Sequence, residues 1–423
     1  MTDAAIDGPV LSADGRPLKQ SLRRSLRRQQ WRAILLIAPL FVFVLVSFLM
    51  PIGSMLFRSV ENDIVPDTLP LTVAALQDWD YASGEPPGEP VYAAMAADLQ
   101  AAFEEKTHTQ VGRRLNYETP GVSSIFRKSG RPVSRWDLAE DGPFRDRFID
   151  IDADWGDPEV WRTIKSYGGR YTTGYYLAAI DGELTPEGPR LKEPDQRVNQ
   201  KLLWRTLWLS AFITFCTFAL GYPVAWLMAN IRERTANLLL ILVLLPFWTS
   251  LLVRTSSWKI LLQEQGVIND FAVWIGLVAD DNRFQMINNQ FGVVVAMTHI
   301  LLPFMILPLY SVMKTISPTY VRAARSLGAT SWTSFWRVYF PQSVPGIGAG
   351  AILVFILAVG YFITPELVGG ADGTFISNRI YYQFSVSGNW GLAAALGTMM
   401  LAVVLVLFWV YDKIVGVDNM KLG

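Results

Sequence analysis

The 423-residue chain is too apolar and too poor in charge for a water-soluble globular protein. Hydrophobic residues make up 51% of it and charged residues 17%, against about 25% in soluble proteins. A single cysteine, Cys216, excludes an internal disulfide framework, and the two histidines leave little for imidazole chemistry. We therefore predict no catalytic residue and no metal site. His299, in an apolar run, fits a hydrogen-bonded packing role better than a ligand role.

Six stretches without a formal charge exceed the roughly 18 residues needed to cross a bilayer. None alternates with the period of two that barrel strands show, so each is predicted to be a transmembrane helix. The first stretch is too long for a signal peptide and no cleavage site follows it, so it should stay attached. The stretches run over residues 33–57, 206–231, 235–253, 284–313, 338–365 and 380–411.

Basic residues in short loops predict the orientation of these helices. Six of them, Lys19, Arg23, Arg24, Arg27, Arg28 and Arg32, lie just before the first stretch, and acidic residues follow it. Basic residues concentrate on the cytoplasmic side of membrane proteins. Both termini are therefore predicted to be cytoplasmic, with a basic tail over 1–32, a first transmembrane helix over 33–57 and a short tail over 416–423.

A segment of different composition, 58–202, separates the first two stretches. Residues 61–201 contain 25 acidic and 16 basic residues, a net charge of −9, together with many aromatic residues. Disordered chains are poor in aromatic residues, so this segment is predicted to be a folded periplasmic domain. The patterns predict helices over 91–106 and 157–166 and a strand over 170–180. We therefore expect a small mixed α/β domain.

The loop after the fourth stretch, residues 315–343, has strong helix signals. Ser317 is a good N-cap, Pro318 suits the first helical position and Gly328 suits a left-handed C-terminal residue. A second helix should follow and end at Pro341, with one aromatic face. Its members are Trp332, Phe335, Trp336 and Tyr339. The residues alone leave open a rigid hairpin that transmits force to another protein and an interfacial loop that anchors the helices.

The same loop resembles the E-A-A-x3-G-x9-I-x-L-P signature of permease subunits of ATP-binding-cassette importers. Ala323, Ala324, Gly328 and Pro341 match it, whereas Arg322 replaces the usual Glu. The resemblance implies a coupling helix that docks on a separate ATPase. The residues that it assigns to ATPase coupling are Tyr320, Val321, Arg322, Ala323, Ala324, Arg325, Leu327, Gly328, Ala329 and Pro341.

Two further segments are similar to spermidine/putrescine-type permeases, namely 245–269 and 361–370. The resemblance implies an all-α polytopic protein of the type I importer permease fold, with six transmembrane helices, a permease core over 203–415 and the α/β domain inserted between helices 1 and 2. A polyamine or related cationic amine is the implied solute, and another small organic solute is the alternative. Such importers lie in the bacterial inner membrane.

Aromatic faces and acceptor oxygens suggest a pathway for a cation. Trp248, Thr249 and Ser250 lie beside Pro246, and Glu366 follows Pro365. Aromatic rings attract ammonium groups by cation–π interaction. A Trp at the membrane interface is also typical of an anchoring belt, so this assignment and an anchoring role both remain open.

The chain lacks the motifs of an ATPase. No G-x4-G-K-[ST] occurs, so ATP and Mg²⁺ are expected on a partner and no cofactor in this chain. The stretches carry no carboxylate, which disfavours a proton-driven carrier. The implied partners are a cytoplasmic ATPase dimer, a second permease of different sequence, a periplasmic solute-binding protein and the bilayer, without nucleic acid. The competing hypothesis is a membrane sensor or scaffold whose acidic domain binds an external ligand.

Overall fold

The computed structural model describes residues 18–185 and 188–415. The predicted tail 416–423, and residues 1–17 of the predicted tail 1–32, lie outside the described residues. The chain divides into two units, the first ending at Arg58 and the second beginning at Ser59.

The described part of the first unit is one helix, basic at its start and apolar in the rest. Its segment Gln29–Arg58 is 30 residues long and has the length and composition of a membrane span. Its apolar side chains are exposed along the whole span, as expected of a helix whose solvent is lipid. The helix consists of α1 (Leu18–Val44), a π turn (Leu45–Leu49) and α2 (Met50–Arg58).

The second unit begins with a domain of short helices and one hairpin. β1 and β2 are four residues each and pair antiparallel, with Gly182 opposite Leu191. The elements are α3 (Ile64–Thr68), α4 (Pro70–Ala75), α5 (Glu89–Glu104), α6 (His108–Asn116), α7 (Val122–Val133), α8 (Phe144–Ile151), α9 (Pro158–Ser166), α10 (Gly174–Ala179), β1 (Gly182–Thr185) and β2 (Gly188–Leu191). The described part of this domain is therefore helical apart from the hairpin, which is less strand than the α/β prediction requires.

An aromatic core holds this domain together. Tyr92, Phe126, Phe148, Trp155 and Trp161 are all fully buried in it. Both buried indoles are satisfied, because Trp155 Nε1 donates to Ser129 Oγ at 2.8 Å and Trp161 Nε1 donates to the Trp155 carbonyl at 2.8 Å. Buried polar groups without such partners would cost about 1 to 3 kcal/mol each.

The two predicted helices of this domain are present, and the predicted strand is wrong. α5 and α9 occupy the expected segments, and the Asp157 carboxylate caps α9 by accepting from the Glu159 N–H at 2.9 Å. Residues 170–180 instead contain a single bridge between Tyr171 and Glu61, followed by helix α10. Tyr175 and Ala179, four residues apart, are buried on one face of that helix, so tertiary packing overrides the β propensity of the tyrosines and threonines.

The rest of the second unit contains the other candidate spans. Four single helices have the length and composition to cross a membrane, namely Val198–Asn230, Gln290–Thr315, Ser331–Gly360 and Trp390–Lys413. Together with the first unit and one bent pair, the described residues give five candidate spans, or six. The elements are α11 (Val198–Asn230), α12 (Glu233–Leu244), α13 (Leu251–Leu261), α14 (Val267–Trp274), α15 (Gln290–Thr315), α16 (Pro318–Ser326), α17 (Ser331–Ser334), α18 (Phe340–Gly360), α19 (Ile363–Val368), α20 (Ile376–Tyr382) and α21 (Trp390–Val415).

Two predicted continuous spans are broken in the structure. The span predicted over 235–253 bends by 94° between Glu233–Trp248 and Leu251–Leu261, because Ser250 adopts extended backbone and caps α13. The span predicted over 380–411 is interrupted at Gly388, whose φ of 74° lies in the left-handed region. Hydropathy averages over a window and does not register a cap or a left-handed residue inside it.

Two π turns allow helices to continue past a proline. The turn Leu45–Leu49 ends two residues before Pro51, and the turn Phe335–Tyr339 ends two residues before Pro341. A proline in an α-helix clashes with the carbonyl four residues earlier. In a π turn the hydrogen bonds join residues five apart, so that carbonyl no longer faces the proline ring. Pro341 was predicted to end its helix. That prediction is wrong, because the helix runs without a break from Ser331 to Gly360.

The membrane core is built by close packing of α11, α15 and α18. A Cβ on Gly350 would meet Met305 Sδ at 2.7 Å, and one on Gly346 would lie 3.0 Å from the Val312 Cβ. Gly221 is likewise close to Met305 and Ile306. Small residues allow membrane helices to approach closely, where dispersion forces replace the hydrophobic effect.

Candidate functional site

The loop that joins α15 to α18 is a capped helical hairpin. Ser317 Oγ accepts a hydrogen bond from the Thr319 N–H, and Pro318 occupies the first turn of α16, as predicted. Gly328 has φ of 88°, its N–H donates to the Arg325 carbonyl, and the Ala329 N–H donates to the Ala324 carbonyl, both at 3.0 Å. These two bonds form a Schellman motif. The turn of the hairpin is therefore closed by backbone hydrogen bonds that need a left-handed residue at 328.

The predicted aromatic face of the second arm is divided in two. Trp332 and Trp336 are exposed and contact each other edge to face, whereas Tyr339 is buried and Phe335 is half-buried. Phe335 and Tyr339 stand at the two ends of the π turn Phe335–Tyr339, and their rings stack with centroids 6.0 Å apart. Phe335 and Tyr339 anchor the arm, whereas Trp332 and Trp336 remain on the surface.

Tyr222 of α11 connects this arm to the membrane core. Its hydroxyl lies 3.0 Å from Ser343 Oγ, and its ring packs against Phe335 and Phe340 with centroids 6.1 and 5.7 Å apart. Sequence reasoning missed both Tyr222 and Ser343. The available signal was a polar side chain inside a charge-free stretch, which in lipid needs a partner. A displacement of the hairpin would thus act directly on α11.

Most of the residues assigned to coupling lie together on the hairpin surface. Leu327 is 89% exposed, and Val321, Ala324 and Ala329 are half-buried against the rest of the chain. Pro341 lies apart from them, on the surface at the start of α18. The exposed residues of the set are Tyr320, Arg322, Ala323, Arg325, Leu327, Gly328 and Pro341.

Three of the predicted pathway residues lie at the break between α12 and α13. Trp248 is 83% exposed, Thr249 Oγ1 donates to the Pro246 carbonyl at 2.8 Å, and Ser250 caps α13. The Pro246 carbonyl also accepts from the Thr249 N–H at 3.2 Å, so two donors of Thr249 close this turn. Glu366 lies on α19, where its carboxylate accepts from Asn378 Nδ2 at 2.7 Å.

α13 and α19 come together beside these residues. The hydroxyls of Thr255 and Thr364 are buried 3.2 Å apart and join the two helices. Trp258 Nε1 donates to His299 Nδ1 at 3.1 Å, so the histidine has the hydrogen bond that its predicted packing role requires, but its side chain is exposed. Arg254, on the same helix, has its Nε and Nη1 atoms buried without a hydrogen-bond partner among the described residues. Sequence reasoning missed Arg254.

The inserted domain is joined to the membrane helices by buried contacts. The Arg114 guanidinium lies over the rings of Tyr167 and Tyr175, at 5.0 and 4.6 Å, and Nη1 donates to Glu118 at 2.9 Å. Burial, and secondarily the Glu118 carboxylate, raises the pKa of Tyr167, so its hydroxyl stays protonated and donates to Glu118 at 3.0 Å. The same Tyr175 ring covers Gly391 of α21 so closely that a Cβ there would overlap it.

A second contact reinforces this joint. The Tyr117 hydroxyl donates to the Ser387 carbonyl at the end of the π turn Gln383–Ser387. Residues 60–62 and 170–172 also run side by side, because the Asn62 N–H donates to the Arg170 carbonyl and the Thr172 N–H to the Val60 carbonyl, both at 2.8 Å. We call the set Arg114, Tyr117, Tyr175, Ser387 and Gly391 the domain joint. It fastens the inserted domain to the start of α21.

The chain is similar to known transport proteins over its membrane core. The family model described as binding-protein-dependent transport system inner membrane component matches residues 221–415. The spermidine/putrescine transport system permease protein PotB of Haemophilus influenzae is 35% identical over 221 residues, covering 52% of this chain and 77% of that protein. The inner membrane ABC transporter permease protein YdcU of Escherichia coli is 31% identical over 278 residues, covering 61% of this chain and 87% of that protein.

The PotB protein of Escherichia coli gives the same level of similarity, 35% over 212 residues, covering 49% of this chain and 76% of that protein. Among solved structures, one match is a chain of a bacterial alginate ABC transporter in complex with an alginate pentasaccharide-bound periplasmic protein. It is 20% identical, with a TM-score of 0.44, and the match covers 53% of this chain and 80% of that chain. The resemblance noted in the sequence to spermidine/putrescine-type permeases is therefore confirmed. The chain belongs to the family of binding-protein-dependent transport system inner membrane components, as a non-catalytic permease subunit of an ATP-binding-cassette importer.

Proposed function

We propose that this permease subunit imports a polyamine or a related cationic amine that a periplasmic binding protein delivers. The observation that supports the proposal is the 35% identity to spermidine/putrescine permeases, over 221 residues in one relative and 212 in another. Another small organic solute is the second candidate, because the family match over 221–415 does not include the inserted domain. Trp248, Thr249, Ser250 and Glu366 are the residues that we assign to the pathway.

The energy for import comes from a partner. We assign ATP and Mg²⁺ to a cytoplasmic ATPase dimer that docks on residues 315–343, and we place a second, different permease chain beside this one. The exposed hairpin with its closed Schellman turn supports the docking assignment, because a preorganised surface binds with less loss of conformational entropy. Tyr222 and Ser343 would transmit the motion to α11.

Reconstitution tests this function. The chain, its ATPase, the second permease and the binding protein are assembled in nanodiscs, and ATP hydrolysis is measured with spermidine, putrescine, an amino acid or sulfate. We expect a rise in hydrolysis with the polyamines alone. Stimulation by a different solute would support the importer assignment and reject a polyamine as the substrate. A chain that binds no ATPase would favour the sensor or scaffold hypothesis.

The orientation is tested with single cysteines. We propose that residues 58–202 are periplasmic and that both termini and the hairpin are cytoplasmic. In a Cys216→Ser background, Glu140→Cys should react with an impermeant maleimide in intact cells, and Ser326→Cys only after lysis. Both native side chains are exposed in this chain, so in cells that lack the partner ATPase the membrane is the barrier to labelling. The opposite labelling pattern would overturn the orientation argued from basic residues.

The acidic domain offers a docking surface for the binding protein. A net charge of −9 over 61–201 would speed the encounter with a basic face, and salt would screen it over a Debye length of about 8 Å. Replacing residues 63–169 by a short Gly/Ser linker is compatible with the side-by-side course of the chain at Asn62 and Arg170. We expect the replacement to slow association and remove its salt dependence. Unchanged association and uptake would show that the domain is dispensable for docking.

A further inference from the structure

We infer that α16 docks on an acidic groove of the partner ATPase through Arg322 and Arg325. The inference rests on the proposed docking of an ATPase on this hairpin and adds the chemistry of the partner surface. Arg322 stands where the permease signature has a carboxylate, so the contact at this position has the opposite charge to the one that the signature leads one to expect.

Two charges of the hairpin have no ion-pair partner among the described residues. Arg322 and Arg325 are one turn apart on α16, both are exposed, and neither forms an ion pair among the described residues. A basic residue nearby that has an acid within reach does pair with it, since Lys314 Nζ lies 3.6 Å from Glu233 Oε1. The two arginines are therefore available to a carboxylate on another molecule.

The helix dipole accounts for only one of the two arginines. Arg325 lies in the last turn of α16, where a cation is stabilised by the partial negative charge of the helix C-terminus. Arg322 lies in the middle of the nine-residue helix, and this effect falls off within one turn. Among the described residues nothing accounts for the charge of Arg322, so Arg322 is the sharper probe of the partner surface.

Helix α16 has no buried side chain. None of the nine residues of α16 is buried, and only Val321 and Ala324 are half-buried against the core. Helices shorter than about 12 residues are marginal in water without tertiary packing. Tyr320 and Leu327 are exposed apolar side chains that flank the arginines. This combination fits a groove with an apolar floor and an acidic rim, in which guanidinium groups form forked hydrogen bonds to carboxylates.

Anionic lipid is the competing partner for exposed arginines at a membrane. The hairpin favours a protein groove, because its two caps give α16 one defined shape and a lipid surface requires none. The test therefore uses nanodiscs of phosphatidylcholine, which carries no net charge. Affinity of the purified ATPase for the permease complex is measured between low and high salt.

We expect Arg322→Glu to lower the affinity of the ATPase about tenfold at low salt, because like charges across a contact repel. Arg322→Gln should lower it roughly threefold and flatten its salt dependence, as expected for loss of one exposed ion pair. Arg322→Lys should keep the salt dependence. Leu327→Ala serves as the matched control, since it should weaken binding without changing the salt dependence.

The outcomes separate this inference from the function on which it rests. If the wild-type chain binds no ATPase, the docking assignment itself fails. If the wild type binds and Arg322→Glu binds equally well or better, the acidic groove is rejected while docking stands. An effect of Arg322→Gln that appears only in nanodiscs with anionic lipid would assign the arginine to lipid and overturn the inference. Changing carboxylates of the ATPase groove to Lys should restore binding of Arg322→Glu.

Discussion

Gly328→Val is expected to abolish uptake by the assembled importer while the permease still inserts and the ATPase still hydrolyses ATP at its basal rate. Gly328 has φ of 88°, which for a β-branched residue costs about 1 to 3 kcal/mol. A Cβ at this position would meet no atom within 4 Å, so the expected effect comes from backbone conformation and not from a clash. The Schellman bonds from Gly328 and Ala329 should open, and the hairpin should lose its fixed shape.

Two variants control for this expectation. Gly328→Asn should retain most uptake, because Asn tolerates the left-handed region far better than Val. Gly360→Ala also adds a side chain in open space, but Gly360 has no positive φ, so uptake should be nearly unchanged. Uptake and hydrolysis are measured in proteoliposomes. Wild-type transport by Gly328→Val would remove the coupling role from this hairpin.

Arg114→Met is expected to destabilise the inserted domain by about 3 to 5 kcal/mol, the cost of removing one partner of a buried ion pair. The Arg114 side chain is 3% exposed and Glu118 is 15% exposed, so the remaining carboxylate would stay largely buried without its cation. The substitution also removes the hydrogen bond from Arg114 Nε to Asn62 Oδ1 and the contacts with Tyr167 and Tyr175.

Lys128→Met is the matched control for this change. Lys128 and Asp152 form an ion pair of 2.7 Å in the same domain, but the lysine is 56% exposed. Surface pairs contribute about 0 to 1 kcal/mol, so little change is expected. Thermal unfolding of the purified protein is followed by tryptophan fluorescence, which reports the buried Trp155 and Trp161. Equal midpoints for the two variants would show that the domain joint does not depend on Arg114.

The loss of domain stability expected in Arg114→Met should also loosen the start of α21. Tyr175 packs on Gly391 and Tyr117 donates to Ser387, so a loosened α6 would release the start of α21. Protease cleavage within residues 383–390 is the direct measurement. Faster cleavage in Arg114→Met than in Lys128→Met would indicate that the domain and the span move as one body.

The sequence by itself determined the features that depend on neighbouring residues and on the solvent. Charge-free stretches predicted the helical polytopic fold, because an ionised side chain at the bilayer centre is costly. Ser317, Pro318 and Gly328 predicted both ends of α16, because caps satisfy backbone groups within one turn of the chain. The ends of α16 and its unusual charge at Arg322 were therefore predictable from the sequence, whereas the division of the aromatic face and the continuation of the helix past Pro341 were not.

Only the tertiary structure decided the features made by residues far apart in the chain. The 94° bend between α12 and α13 stands inside one hydrophobic window, and the helix Gly174–Ala179 forms where local propensity favours a strand. The domain joint pairs Tyr117 with Ser387, 270 residues later. Burial against a distant surface supplies more free energy than the propensity of a few residues, and a linear pattern does not contain the identity of that surface.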